Sequence, residues 1–132
     1  MNYIVDTSVW SLALRRHSQV RSLEVRKLRT LLEEGERIFM VGVILQEILQ
    51  GIKIKSQFIQ IQDAMAFIPI LSEKREDYFY AAELYNICRA KGIVAGTIDF
   101  LIASIAIRNE CSLLTADRDF HHIAKHTKLK LL

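Results

Sequence analysis

Four carboxylates stand among apolar residues in this chain, where a charged group needs a special reason to be present. They are Asp6, Glu47, Asp99 and Asp117. A carboxylate with apolar neighbours must be hydrogen-bonded, paired with a cation or neutralised. Two like charges about 4 Å apart repel by on the order of 4 kcal/mol near a protein surface. If the fold brings these four side chains together, a bound divalent cation is the simplest way to relieve the repulsion.

A ligand set made only of carboxylate oxygens favours Mg²⁺, with Mn²⁺ as the alternative, over zinc. Such an ion neutralises a phosphate, lowers the pKa of a bound water and stabilises the leaving oxygen, so it suits phosphodiester cleavage. His122 and His126 have the spacing of two zinc ligands on one helix face, but no cysteine or further histidine is spaced to complete that set. We therefore interpret these histidines as part of a solvated helix face.

Two of the acids also have ordinary structural roles that the sequence leaves open. Asp6 follows a strand-like run and could act at a helix N-terminus, although Thr7 and Ser8 could equally cap that helix. Glu47 falls outside the apolar stripe of its predicted helix, which is typical of a solvated side chain.

The other two acids lie near predicted helix starts. Asp99 would occupy the first turn of an otherwise apolar helix capped by Thr97, where the helix dipole favours a negative charge. Asp117 and Asp119 flank the start of a later helix, and one of them is expected to cap it. We favour Asp117 as the direct ligand because it lies nearer the strand end, with Asp119 as a supporting group or a cap.

Short apolar runs alternate with helical patterns along the whole chain. The predicted strands cover residues 3–5, 38–41, 67–71, 112–115 and 129–132. The first predicted helix begins near Val9. The other predicted helices cover about 20–34, 43–51, 54–66, 73–91, 97–109 and 118–125. This alternation predicts an α/β fold with a mostly parallel sheet between two layers of helices.

The sheet topology indicates where a ligand would bind. Pro69 and Lys130 mark their strands as edge strands. Right-handed crossovers place the carboxyl ends of all parallel strands at one edge, and ligands bind there where the strand order reverses. Asp6, Glu47 and Asp117 follow strand ends, so topology places these three acids on the ligand side.

Composition narrows the class of protein. The chain has 132 residues, with 51% hydrophobic and 25% charged side chains, which is typical of one globular domain. We expect Cys88 and Cys111 to be reduced core residues. There is no apolar run long enough for a membrane span and no secretory signal, so we expect a cytoplasmic protein without a membrane partner. The net charge of +3 favours an anionic partner such as nucleic acid.

Four short blocks of this sequence together resemble the signature of PIN-domain ribonucleases. They are Asp6-Thr7-Ser8, Glu47-Ile48-Leu49-Gln50-Gly51, Asp99-Phe100-Leu101-Ile102-Ala103 and Thr115-Ala116-Asp117-Arg118-Asp119-Phe120. The length and the spacing of the blocks are similar to those of the VapC toxins of toxin–antitoxin pairs. The resemblance implies a single PIN-like domain over residues 1–132, with about five strands in the order 3-2-1-4-5.

The resemblance also implies a function. It implies Mg²⁺-dependent endonucleolytic cleavage of RNA, with Asp6 and Asp99 as the principal metal ligands and with Glu47 and Asp117 completing the acidic pocket. By the same resemblance, the protein would form a homodimer. A cognate antitoxin would inhibit it by laying its C-terminal segment across the active-site groove.

Side chains other than the four acids have candidate roles as well. The resemblance suggests that Thr7 or Thr115 hydrogen-bonds a carboxylate or the scissile phosphate. Arg15 and Arg16 are candidate RNA contacts, although two adjacent arginines are also typical of a solvated surface.

Two alternative functions stay open at this point. A PIN-like module that binds RNA or a protein partner without turnover would keep the fold. A phosphatase that uses Asp6 as its nucleophile is less favoured, because such sites usually carry a second aspartate two positions later, where this chain has Ser8.

Overall fold

Five parallel strands form one sheet in the order β3-β2-β1-β4-β5. The computed structural model describes residues 1–15 and 22–132. Within them the strands are β1 (Asn2–Val5), β2 (Arg37–Val41), β3 (Ile70–Leu71), β4 (Cys111–Leu114) and β5 (Lys130–Leu131). The predicted strand order and the three-layer α/β class are confirmed.

Helices connect the strands. In the described residues they are α1 (Thr7–Ala13), α2 (Leu23–Glu33), α3 (Gly42–Leu49), α4 (Lys55–Met65), α5 (Arg75–Ala90), α6 (Thr97–Arg108) and α7 (Arg118–His126). The predicted start of the second helix at residues 20 and 21 lies outside the described residues. No helix in the described part of the chain is both long and apolar enough to cross a membrane.

The two edge strands are shorter than predicted. Pro69 has no N–H to donate, so the pairing of β3 with β2 begins with the Pro69 carbonyl, which accepts a hydrogen bond from the Met40 N–H at 2.8 Å. Residues 66–68 form a turn instead of a strand, closed by the Ile68 N–H and the Met65 carbonyl. The prediction that Pro69 and Lys130 mark the edges is confirmed.

Helix ends follow the glycines. Gly35 after α2 and Gly92 after α5 have φ values of +67° and +77°, which side chains with a Cβ rarely adopt. These residues end their helices at the predicted places.

The buried faces of two helices differ from the sequence prediction. The spacing of Val25, Leu28 and Leu32 predicts that these three residues form the buried face of α2. The core residues are instead Val25, Leu28 and Leu31, and Leu32 is exposed. The helical spacing of Tyr78, Ala81, Ala82 and Tyr85 predicts that these residues form the buried face of α5. The observed buried face is shifted from that set. It consists of Asp77, Ala81, Leu84 and Cys88.

The shift on α5 has a specific cause. Asp77 is fully buried, and both of its oxygens accept hydrogen bonds from the Arg108 guanidinium, with Oδ2 and Nη2 2.9 Å apart. Oδ2 also accepts from the Lys74 N–H at 2.8 Å. Burial raises the pKa of Asp77, but these bonds and the Arg108 charge outweigh it and hold the pKa below 3.8. A charge paired in this way is tolerated in the core and ties α5 to α6.

Candidate active site

The site begins where the two central strands end. β1 and β4 are neighbours, with Val5 opposite Leu114, and the Asp6 N–H donates to the Leu114 carbonyl at 2.9 Å. The strand order reverses between these two strands, because β2 and β3 lie beyond β1 while β5 lies beyond β4. Residues that follow β1 and β4 therefore border the crevice where ligands bind in such sheets.

Asp6 is held in place by hydroxyl groups. Its carboxylate is only 6% exposed, and Oδ2 accepts from Ser8 Oγ at 2.7 Å and from Thr115 Oγ1 at 3.0 Å. The Ser8 N–H adds a longer bond at 3.4 Å, so Asp6 is the N-cap of α1, and Thr7 and Ser8 are not. All of these bonds engage Oδ2, and Oδ1 accepts none from the residues that the structure describes.

The same hydroxyls connect Asp6 to the chain after β4. Ser8 Oγ accepts from the Ala116 N–H at 3.0 Å, and Thr115 Oγ1 accepts from the Asp117 N–H at 3.0 Å. Thr115 is buried, so its hydrogen bond to Asp6 is shielded from water, while the bond between Ala116 and Ser8 is exposed. It fixes the position of Asp6 relative to the segment that carries the next two acids.

Asp99 reaches this crevice from the first turn of α6. Its Oδ2 accepts from the Gly96 N–H at 3.2 Å, so Gly96 is the N-cap, where we predicted Thr97. The side chain is partly buried, and its Oδ1 is free for another ligand in the described part of the chain.

Three carboxylates form a close group. One ligand oxygen from each of Asp99, Asp117 and Asp119 lies within 4.8 Å of the other two, and all three side chains are partly buried. Burial raises the pKa of Asp99 to about 6, and the charges of Asp117, Asp119 and Asp6 raise it as well, against the opposite effect of the Gly96 N–H. Burial is the main cause of the shift, and the three neighbouring carboxylates add to it.

One of the two acids after β4 caps the next helix, as predicted. Asp117 is the N-cap of α7, with Oδ1 accepting from the Asp119 N–H at 2.9 Å. Asp119 is not the cap, and its oxygen belongs to the close group on equal terms with that of Asp117. The available sequence signal was a second aspartate two positions after Asp117. We expected only one direct ligand from this pair, so we predicted a supporting role or a cap for Asp119.

Glu47 lies at the side of the site and is not a member of this close group. It is partly exposed on α3, and its Oε1 accepts from Thr7 Oγ1 at 3.3 Å. That bond links α3 to the first residue of α1, directly after Asp6. The structure therefore brings Asp6, Asp99 and Asp117 to one crevice and connects Glu47 to it through Thr7.

The donor set fits a hard divalent cation. The close group offers only carboxylate oxygens, and Asp6 adds an oxygen without a hydrogen bond from the described residues. Clustered carboxylates that repel one another are relieved by Mg²⁺ or Mn²⁺, which prefer such ligands. A bound cation would offset the repulsion that Asp117, Asp119 and Asp6 exert on Asp99, which adds to the effect of burial on its pKa.

Among the described residues, the cysteines and histidines take no part in this arrangement. Cys88 and Cys111 are buried free thiols, as expected. No group of three metal-ligating side chains in residues 1–15 and 22–132 includes a histidine. His17 and Arg16 lie outside the described residues.

Comparison with known proteins agrees with this architecture. The PIN domain family matches residues 3–126. The VapC ribonuclease Mb1587 of Mycobacterium bovis is 33% identical over 129 residues, which cover 96% of this chain and 95% of that protein.

Two solved complexes share the fold. VapBC2 from Rickettsia felis, bound to a DNA fragment from its promoter, contains a chain that matches all of this one with a TM-score of 0.80 at 23% identity, over 98% of its own length. VapBC-1 from nontypeable Haemophilus influenzae matches all of this chain with a TM-score of 0.77 at 19% identity, over 97% of its own length. The sequence match, the family match and the shared fold agree, and this chain belongs to the PIN domain family, among the relatives of the VapC ribonucleases.

Proposed function

We propose that this protein is a metal-dependent endoribonuclease that acts in the cytoplasm as the toxin of a toxin–antitoxin pair. The observation that carries the proposal is the group of Asp99, Asp117 and Asp119 oxygens at the reversal of strand order, beside the buried Asp6. The similarity to a named VapC ribonuclease along 96% of the chain supports RNA as the substrate.

The acids would share the work of holding Mg²⁺ or Mn²⁺. Asp6 and Asp99 are the proposed principal ligands, because each has an oxygen free of hydrogen bonds from the described residues. Asp117 would complete the pocket, and we add Asp119 because its oxygen lies in the same close group. When bound, the cation would neutralise the scissile phosphate and lower the pKa of a water that attacks it.

The other polar side chains keep these carboxylates in position. Ser8 and Thr115 restrain one oxygen of Asp6 and leave the other without a hydrogen bond from the described residues, so it would be available to a cation. Thr7 restrains Glu47 at the side of the site, where this carboxylate is placed to orient water or a metal-bound group. These are roles in binding and orientation, and they account for the hydroxyl residues around the acids.

Cleavage assays test the proposal. Purified protein is expected to cut RNA internally with Mg²⁺ or Mn²⁺, to lose that activity in a chelator, and to be inhibited by its cognate antitoxin. Undiminished cleavage in excess chelator would contradict the metal-dependent mechanism. Binding of RNA or antitoxin without any cleavage under all metal conditions would support the inactive-module alternative instead.

The phosphatase alternative loses ground on geometry. A nucleophilic aspartate needs an oxygen that is free to attack and a second acid to handle the proton. Ser8 stands where that second acid would be, and it instead donates a hydrogen bond to Asp6 at 2.7 Å. We therefore assign Asp6 a ligand role.

A groove beside the site suits the antitoxin. It lies between α1, α3 and α4, has a volume of about 690 Å³, and is lined by apolar side chains that include Leu14, Ile48 and Ile61. Arg15 lies at the same groove. We propose that the antitoxin segment packs here, next to the helix that carries Glu47, so that a bound segment obstructs access to the crevice.

A second surface suits self-association. Apolar side chains of α5 and α6 border a hollow of about 420 Å³, among them Tyr78, Ala82, Ile98 and Leu101. Tyr78 is 54% exposed in the single chain. Exposed apolar patches of this kind mark protein interfaces, so we propose that a second copy covers it.

A charge placed in this apolar surface is expected to prevent dimer formation. Ala82→Glu should shift the protein to a monomer in sedimentation experiments at micromolar concentration, because the added carboxylate would lose its water in the interface. Ala66→Glu at the end of α4 is the matched control and should leave the dimer intact. A dimer that persists in Ala82→Glu would exclude this surface as the interface.

A further inference from the structure

The net positive charge of this chain is concentrated at one end. The chain carries 18 lysines and arginines against 15 aspartates and glutamates. Four of these basic residues and one acidic residue lie in 118–132, so residues 1–117 carry equal numbers of each sign. The whole formal charge of +3 therefore belongs to α7 and the short segment after it.

The basic residues of α7 share one side of the helix. Phe120 and Ile123 are its buried residues. The opposite side, called here the basic face of α7, consists of Arg118, His121, His122 and Lys125, all of them exposed. Their spacing of three and four residues places them next to one another on the helix surface.

The basic face of α7 starts at the acidic crevice. Arg118 lies between Asp117 and Asp119, both members of the close carboxylate group. Lys125 is seven residues further along, about 10 Å down the helix axis. That length exceeds the spacing of neighbouring phosphates along a nucleic-acid strand.

The two permanent cations of this face, Arg118 and Lys125, have no partner among residues 1–15 and 22–132. Neither Arg118 nor Lys125 forms an ion pair or a side-chain hydrogen bond in the part of the chain that the structure describes. Arg108, by contrast, forms an ion pair with the buried Asp77. The basic face of α7 is therefore available to an external anion.

An acidic crevice creates a need for such a surface. Its clustered carboxylates repel the phosphates on either side of the bond to be cut, and a bound cation offsets that repulsion only locally. A strand is held near the crevice only if cations beside it contact the neighbouring phosphates. We infer that the basic face of α7 binds the phosphate backbone of the RNA strand adjoining the cleaved bond, an inference that rests on the proposed ribonuclease function.

Salt-dependent binding tests this inference without any cleavage. The probe is a labelled single-stranded RNA of about 20 nucleotides, with chelator present. Each lost phosphate contact lowers the slope of log affinity against log salt by about 0.7. Lys125→Gln, two turns from the acids, is expected to lower the slope by about 0.7, and Arg118→Gln/Lys125→Gln by about 1.4, with affinity falling about tenfold.

A matched control removes the same charge elsewhere. Arg29→Gln/Arg37→Gln takes two exposed cations from α2 and from the amino end of β2, far from the carboxyl ends of the strands, and its slope should equal that of wild type. With metal present, the α7 variants should lose activity through a higher KM rather than a lower kcat. A purely structural role would show instead as a lower melting temperature.

The outcomes separate this inference from the proposed function. An unchanged slope and KM in the α7 variants would overturn the inference, as would an equal loss in the control variant. If the α7 variants bound RNA as tightly as wild type but no longer bound polyglutamate, the inference would be overturned in favour of an acidic protein partner. Metal-independent or absent cleavage would instead contradict the proposed function, and α7-dependent RNA binding in that case would still support the inference.

Discussion

Replacing Asp99 by asparagine is expected to lower the rate of RNA cleavage at least about a hundredfold while leaving the protein folded. Loss of groups that merely orient metal ligands costs about 10- to 100-fold, so loss of a principal ligand should cost at least the upper figure. The asparagine Oδ1 can still accept the bond from the Gly96 N–H, so the start of α6 is preserved. Cleavage rates and melting curves of the purified variant measure both effects.

The same substitution is expected to stabilise the metal-free protein at neutral pH. The pKa of Asp99 is raised to about 6, so the folded state binds a proton more tightly than the unfolded chain does. The contribution of Asp99 to the free energy of unfolding is therefore most favourable below about pH 4, and it is lost as the pH rises through about 6. Because Asp99 is partly solvated, we expect a gain of only about 1 kcal/mol in the free energy of unfolding for Asp99→Asn at pH 7 in chelator.

A graded control separates ligand loss from general damage. Thr115→Val removes the hydrogen bond to Asp6 and the one accepted from the Asp117 N–H, and it should reduce cleavage by about 10-fold, less than Asp99→Asn. Thr127→Val removes a comparable hydroxyl at the far end of α7 and should leave the rate unchanged. Full activity of Asp99→Asn would show that Asp99 is not a metal ligand. A loss of activity in Thr127→Val equal to that in Thr115→Val would show that the loss comes from general damage to the fold.

Breaking the buried pair between Asp77 and Arg108 is expected to lower the free energy of unfolding by about 3 kcal/mol. Arg108→Met keeps most of the apolar stem but leaves the fully buried Asp77 carboxylate without its cation. Chemical denaturation at pH 7 measures the loss. Arg29→Gln removes an exposed arginine from α2 as the control and should change stability by no more than about 0.5 kcal/mol.

The pH dependence of this effect has a definite sign. The folded-state pKa of Asp77 lies below 3.8, so its pairing contributes stability above the unfolded pKa and loses it as the pH falls through the folded value. The difference between wild type and Arg108→Met should therefore shrink in acid. A double variant, Asp77→Leu/Arg108→Met, should recover much of the loss, since no charge stays buried. A single variant as stable as wild type would show that the pair contributes nothing.

The fold was largely predictable because its signals are local and strong. Short apolar runs such as Tyr3–Val5 and 113–114, which alternate with helical patterns, favour buried strands, and Pro69 and Lys130 identify the edges. Topology then places Asp6 and Asp117 together without any knowledge of side-chain positions. Asp99 was recognised by its unusual neighbours, and its place in the crevice required the family resemblance.

The errors have physical causes that a sequence pattern does not contain. The buried face of α5 was misjudged because a charged residue, Asp77, belongs to it, and its partner Arg108 lies on another helix. Asp6 was not chosen as the cap of α1 because Thr7 and Ser8 are equally good caps. The hydroxyl network of Ser8 and Thr115 joins residues 107 positions apart, so only the folded chain shows it.

Magnesium binding, measured by calorimetry on wild type and on Asp99→Asn, tests the central claim most directly. The claim is that the carboxylates of this crevice hold a divalent cation. We predict that Mg²⁺ binds wild type saturably with measurable heat, and that this heat is lost in Asp99→Asn at equal protein concentration. Both proteins should still unfold cooperatively on heating. Equal binding to the two proteins, or no binding to a wild-type protein that cleaves RNA, would contradict it.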